Sequence, residues 1–195
     1  MLIISNHIHD RLKFPDHAII RVNMAWIPNR DALHKVLTDI KDNLIFLDCP
    51  YGRKKPPQPT LSINDAIDFT NLYTNIRYLA ISNTEDVVTV RKIYTSLTKE
   101  VVLVPKIETE LGVKNIIALA IASNTEVVML DKEDLYINVN HDNSKYLSLI
   151  QETRTACRSA DIKLVELEGV VFSQFKEAHE DITYDGGVPT KREKQ

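Results

Sequence analysis

The chain has 195 residues, 44% of them hydrophobic, and a formal net charge of −3 at neutral pH. That length fits one domain with a sizeable core, and the mild acidity excludes the basic surface a nucleic-acid partner would need. Cys49 and Cys157 are too few and too far apart for a disulfide framework or a metal pair, so both read as core thiols and the cytoplasm is the expected location.

The opening MLII is too short for a signal core, and no apolar run is long enough to span a membrane. His7 and His9 form a His-x-His pair that reads as terminal rather than metal-binding. Residues 2–5 make a short apolar run, a possible edge strand, and residues 18–25 read as the first full strand. Trp26, just after it, reads as a packing residue. Residues 31–40 predict a helix: Leu33, Val36, Leu37 and Ile40 share one face, and Asn29 or Asp31 can cap it. A strand at 44–47 is followed by GRKKPPQP at 52–59, a stiff basic loop whose cations Arg53, Lys54 and Lys55 read as a solvated edge. A helix over 62–72 starts at Ser62, and a strand covers 76–81. The next helix is expected over 84–97, capped by Asn83 or Thr84, with Glu85 and Asp86 in a first turn that favours acids. Strands at 101–104, 127–130 and 162–167 alternate with helices at 113–122 and 143–160.

Most of these strands are continuous apolar runs, as expected when both faces are covered, and their alternation with helices predicts βαβ units in a parallel sheet. Residues 1–183 are therefore read as one α/β domain, and the polar, glycine-containing segment 184–195 as a disordered tail.

Ligands of parallel α/β sheets bind at the carboxyl ends of the strands. Arg21, Asn23, Asp48, Ser82, Lys106, Glu108, Asp131 and Asp134 all fall there, with Glu166 or Glu168 after the last strand. Several carboxylates on one rim repel one another unless a cation sits among them, and magnesium or manganese suits an all-oxygen set. The plainer readings are a ligand-free Lys106–Glu108 rim pair, a solvated turn at Asp131, Glu133 and Asp134, a turn-organising Asp48, and structural roles for Arg21 and Asn23.

The stretch SNTEDVVTVRKIYTSLTKEVVLVPKIETELGVKNIIALAIASNTEVVMLDKEDL, from Ser82 to Leu135, resembles the central barrel segment of pyruvate kinase. The likeness lies in Lys-Ile-Glu, then Gly-Val-x-Asn-Ile, then a strand leading to Asp-Leu. The same stretch is similar to the citrate-lyase-type and hydroxy-oxo-acid aldolases of the phosphoenolpyruvate/pyruvate superfamily. Upstream, RVNMAW and LIFLDCPYGR resemble that family's substrate-side and Leu-Asp strands more weakly. The resemblance implies that residues 1–183 form a TIM-type (β/α) barrel in truncated form, without the kinase's lid and carboxy-terminal domains; six strands, or seven with residues 2–5, fall short of its eight, so the barrel is expected to be incomplete or completed by a second copy. It implies Glu108 and Asp134 as ligands of Mg2+ or Mn2+, and Lys106 as the catalytic ammonium. Arg21, Asn23, Asp48 and Lys132 would lie on the substrate side, Lys132 standing where the family has an arginine.

The implied partner is a small 2-oxo acid or a phosphoenolpyruvate-like ligand, in a homo-oligomer without nucleic acid or membrane. Three functions follow from the resemblance: a magnesium-dependent lyase or aldolase working through a pyruvate enolate, a reduced phosphotransferase, or a degenerate barrel acting as an interaction or regulatory subunit. The short loop after Asp48, where the kinase inserts its lid, favours the first.

Overall fold

A computed structural model describes residues 3–4, 18–53, 56–167, 182–184 and 189–191. Seven strands run in chain order: β1 (Ile3–Ile4), β2 (Ile19–Asn23), β3 (Leu44–Cys49), β4 (Ile76–Ile81), β5 (Val102–Ile107), β6 (Val127–Asp131) and β7 (Lys163–Leu167). They form one sheet in that same order, and each pair is parallel. The helices α1 (Arg30–Asp39), α2 (Ile63–Leu72), α3 (Val87–Thr95), α4 (Glu110–Lys114), α5 (Ile116–Ala122), α6 (Lys132–Asn138) and α7 (Asn143–Ser159) connect them. None of the described helices is long and apolar enough to cross a membrane.

Two apolar layers reflect the period-2 alternation of side chains along each strand. The larger joins one face of the sheet to the helices and includes Val22, Leu47, Leu79, Leu103, Leu130, Leu33, Phe69 and Leu149. The smaller is Ile19, Phe46, Ala80, Val104 and Met129, one residue from each of β2 to β6 on the opposite face. Two residues further along each strand, on that same face, come Arg21, Asp48, Ser82, Lys106 and Asp131.

The sheet curls around this face. β3 and β6 are three strand places apart, roughly 14 Å in a flat sheet. Yet Asp48 of β3 and Asp131 of β6 each place an oxygen 3.5 Å from the same Lys106 nitrogen. Sequential parallel strands, helices outside and a concave inner face make the wall of a partial α/β barrel, in line with the expected shortfall from eight strands.

Several local expectations change. The helix predicted from residue 84 starts at Val87, because Asp86 accepts from Val88 N and Thr89 N and takes the capping role given to Asn83 or Thr84. The helix expected over 113–122 begins earlier and breaks at Asn115 into α4 and α5. Helix α6 is not among the predicted helices; the strand-to-helix turn weighed at Asp131, Glu133 and Asp134, with Asp134 as its cap, is capped by Asp131 instead, and only Leu135 in the helix is buried, so it carries almost no apolar signal. Trp26 is 63% exposed, which overturns its reading as a packing residue. Asn29 and Ser62 cap α1 and α2 as expected, Ser62 in a reciprocal box with Asp65. His7, His9, Lys54, Lys55 and Glu168 lie outside the described residues. Of the segment read as a disordered tail, only Tyr184 and Pro189–Lys191 are described; Ile182–Tyr184 pairs with Pro189–Lys191 in an antiparallel ladder.

Candidate functional site

The inner face ends in a chain of buried charges. Arg21 donates from Nε (2.9 Å) and Nη2 (2.5 Å) to Oδ2 of Asp48. Lys106 Nζ lies 3.5 Å from that same oxygen and donates to Ser82 Oγ at 3.2 Å. It also sits 2.8 Å from Glu108 Oε1 and 3.5 Å from Asp131 Oδ2. Burial alone would lower the Lys106 pKa, but the carboxylates of Asp48, Glu108 and Asp131 outweigh it and hold the group as an ammonium well above the ordinary range. Burial likewise pushes Asp48 up, and Lys106 with Arg21 overcomes it, leaving Asp48 below the ordinary carboxylate range.

Glu108 behaves differently. It is 2% exposed, and burial drives its pKa up; Lys106 only partly offsets this, while Asp131 and Asp134 add to it. One oxygen, Oε2, accepts the backbone N–H of Asn83 at 2.7 Å. The other, Oε1, has its ion pair with Lys106 but no aligned hydrogen bond, and Asp48 Oδ1 has no hydrogen-bond partner either. Buried acceptors in this condition are costly unless another donor or cation arrives.

The loops that frame Glu108 are locked together. Asn83 has φ +50°, a left-handed conformation asparagine tolerates, and it turns its N–H to Glu108 while its amide donates to Tyr51 O at 3.0 Å. Thr84 Oγ1 donates to Lys106 O at 2.8 Å. Thr109 caps α4 through Gly112 N, and a Cβ on Gly112 would lie 3.0 Å from Thr84 O, so a side chain there would push the two loops apart by a few tenths of an ångström.

Asp131 ends β6, accepts from Asp134 N at 3.2 Å, and so starts α6. This turn brings ligand oxygens of Glu108, Asp131 and Asp134 all within 4.8 Å of one another. The set offers only carboxylate oxygens, beside an acceptor without an aligned donor, and so fits a hard divalent cation. Above it opens a cleft of about 360 Å³ lined by Arg53, Ser82, Asn83, Glu85, Thr109 and Asn138 together with Glu108 and Asp134.

Of the residues singled out from sequence, Arg21, Asp48, Lys106, Glu108, Asp131 and Asp134 converge. Asn23 stands beside Asp48 in the β2–β3 register, but its side-chain oxygen accepts from Ala25 N and caps the short turn Met24–Trp26. Lys132 turns to β7 and pairs with Glu166 at 2.6 Å, a carboxylate that Arg154 also grips from two nitrogens. Cys49 and Cys157 are buried thiols, as expected, with burial pushing Cys49 up to about 12. Sequence reasoning gave the metal to Glu108 and Asp134 and left Asp131 out, although its place at a strand end was visible. It also missed Asn83, whose role depends on its backbone conformation.

No protein-family profile and no curated protein matches this sequence. Solved structures do. An HpcH/HpaI aldolase/citrate lyase family protein from Burkholderia cenocepacia J2315 superposes with a TM-score of 0.61 at 11% identity, over 77% of this chain and 71% of that one. Citrate synthase SbnG gives 0.58 at 13%, over 78% and 68%. Cryptosporidium parvum pyruvate kinase in complex with ADP gives 0.59 at 14%, over 80% of this chain but only 52% of the kinase. At such identities the likeness is one of fold alone: the chain carries, in part, the α/β barrel architecture of these structures.

Proposed function

We propose that this chain is a divalent-metal-dependent enzyme on a partial TIM-type barrel, which binds pyruvate or a related 2-oxo acid, stabilises its enolate, and works as a carbon–carbon lyase or aldolase. One observation carries this reading: three carboxylates, Glu108, Asp131 and Asp134, gather at the carboxyl ends of β5 and β6 against the buried ammonium of Lys106. Glu108 and Asp134, with Asp131, would hold Mg2+ or Mn2+. When bound, such an ion supplies Lewis-acid charge to the carboxylate and keto oxygens of a 2-oxo acid.

The chain's own groups do the rest. Lys106 stays charged in a dry setting, where positive charge is worth most as an enolate develops. Asp48, fixed by Arg21, and Ser82 aim that ammonium, so these residues act by positioning Lys106. The Asn83 N–H and the Thr84 hydroxyl hold β4 and β5 in register at the rim, which keeps Glu108 facing the cleft.

The cleft favours the lyase over phosphoryl transfer. Glu85, Glu108 and Asp134 line it, and among its described residues Arg53 is the single cation. A nucleoside triphosphate would bring three or more negative charges against those acids. A small oxo acid with a neutral or hydroxylated tail meets far less repulsion.

The test is Mn2+ binding followed by electron paramagnetic resonance, with and without oxalate as an enolate-shaped ligand. The expected result is one tight Mn2+ per chain, a spectrum changed by oxalate, and a higher melting temperature for the ternary complex. A chain that leaves the Mn2+ spectrum unchanged at millimolar ion would rule the reading out.

A further inference from the structure

Enolate chemistry at pyruvate requires a group that removes and returns a methyl proton, and neither the metal-site carboxylates nor Lys106 suits the task. Lys106 is held charged by three carboxylates. Asp48 is tied to Arg21 and Lys106, and Glu166 to Arg154 and Lys132. The two histidines among the described residues are engaged elsewhere, His34 with Tyr73 and His141 edge-on to Tyr136. The Cys49 thiol is buried and pushed up to about 12.

Glu85 remains. It lines the same cleft as Glu108 and Asp134 and is half-buried. Its carboxylate makes no hydrogen bond or ion pair among the described residues. Its backbone, by contrast, is pinned: Asn115 Nδ2, at the break between α4 and α5, donates to Glu85 O at 3.0 Å. Thr84, the residue before it, is bonded through its hydroxyl to Lys106 O. A cleft-lining residue with a fixed backbone and a carboxylate that no described residue engages has the attributes of a general base.

We infer that Glu85 is the general acid–base residue of this cleft, taking a proton from C3 of a bound pyruvate-type 2-oxo acid and giving it back. The step balances within the site. The C3–H bond breaks and its proton passes to a Glu85 oxygen. The C–H electron pair forms the C2=C3 bond, and the carbonyl pair moves onto the keto oxygen, facing the positive charge of the site. In the reverse direction Glu85-H protonates C3 and regenerates the keto acid. No oxidant, reductant or co-reactant is needed. The inference rests on the metal-site reading above.

The experiment follows loss of the pyruvate methyl signal by proton NMR in deuterated water, with the Mg2+-loaded chain, alongside Mn2+ and oxalate binding by paramagnetic resonance. The wild-type chain should exchange its substrate's methyl protons. Glu85→Gln should slow that exchange by at least about 100-fold, the lower end of what a positioned base contributes, with Mn2+ and oxalate binding unchanged. Glu85→Asp, which keeps the carboxylate but shortens its reach, should recover part of the rate. Exchange by Glu85→Gln within a few-fold of wild type overturns the inference. So does a wild-type chain that binds Mn2+ and oxalate yet exchanges nothing, which leaves the metal site standing. A chain that binds no Mn2+ removes both.

Discussion

Two ion clusters sit at the carboxyl rim of the sheet, and they differ in kind. Around β7, Glu166 is 24% exposed and fully engaged: Arg154 reaches both its oxygens, at 2.7 and 2.8 Å, and Lys132 adds a contact at 2.6 Å. Around β5 and β6, Arg21 and Lys106 face Asp48, Glu108 and Asp131, with Asp134 close by, and two of the buried carboxylate oxygens have no hydrogen bond. The first cluster has its one carboxylate held by two cations and is solvent-screened, and its effect is to fasten α6 and α7 to the last strand. The second gathers more carboxylates than cations in a buried place, a costly arrangement that protonation or a bound cation would relieve.

That contrast can be broken at its strongest point with Lys106→Met. Three carboxylates would lose their common cation, and breaking buried pairs of this sort costs about 3–5 kcal/mol. Urea unfolding of the metal-free variant should show that loss, and millimolar Mn2+ should restore part of it. A cost below about 1 kcal/mol would mean that the ammonium is not the keystone of the cluster.

Glu108→Gln sharpens the comparison. Mn2+ affinity should fall by more than about 100-fold, beyond the 10–100-fold typical of residues that only support a ligand. Stability of the metal-free protein moves the other way. The Glu108 pKa is raised on folding, so its contribution is present below the unfolded value and is lost as pH rises through the folded one. Wild type should therefore weaken as pH rises above the ordinary carboxylate range, and Glu108→Gln should flatten that part of the curve. An unchanged slope would show that Glu108 is not the strained member.

The smallest effect belongs to the cluster around Glu166. Hydrogen bonds from Arg154, opposed in part by burial and helped by Lys132, hold Glu166 down to about 2. Its stabilisation is present above the ordinary carboxylate range and disappears as pH falls through about 2. With solvent screening, Glu166→Gln should cost about 1 kcal/mol at neutral pH, no metal affinity, and nothing near pH 2. A loss of Mn2+ binding in this variant would erase the distinction between the two regions.

The order of strands and helices was legible in the chain itself. Continuous apolar runs such as 76–81, separated by capped amphipathic segments, admit little besides a parallel sheet with helices outside, and Lys106 with Glu108 at a strand end was visible as a pair. Their partners were not. Helix α6 hides because a seven-residue turn with one buried side chain has no apolar period to read. Asp131 joins the acidic group because that helix folds Asp134 back beside it. Glu85 looked like a helical first-turn acid, and lines the cleft because Asp86 claims the cap and the helix starts only at Val87. Lys132 looked equivalent to a substrate-side cation until β7 placed Glu166 within its reach. Local pattern sets which segments become strands and helices, since it acts through near neighbours. Which charges end up sharing one buried volume depends on how far the sheet curls, and that is decided by contacts between residues dozens of positions apart.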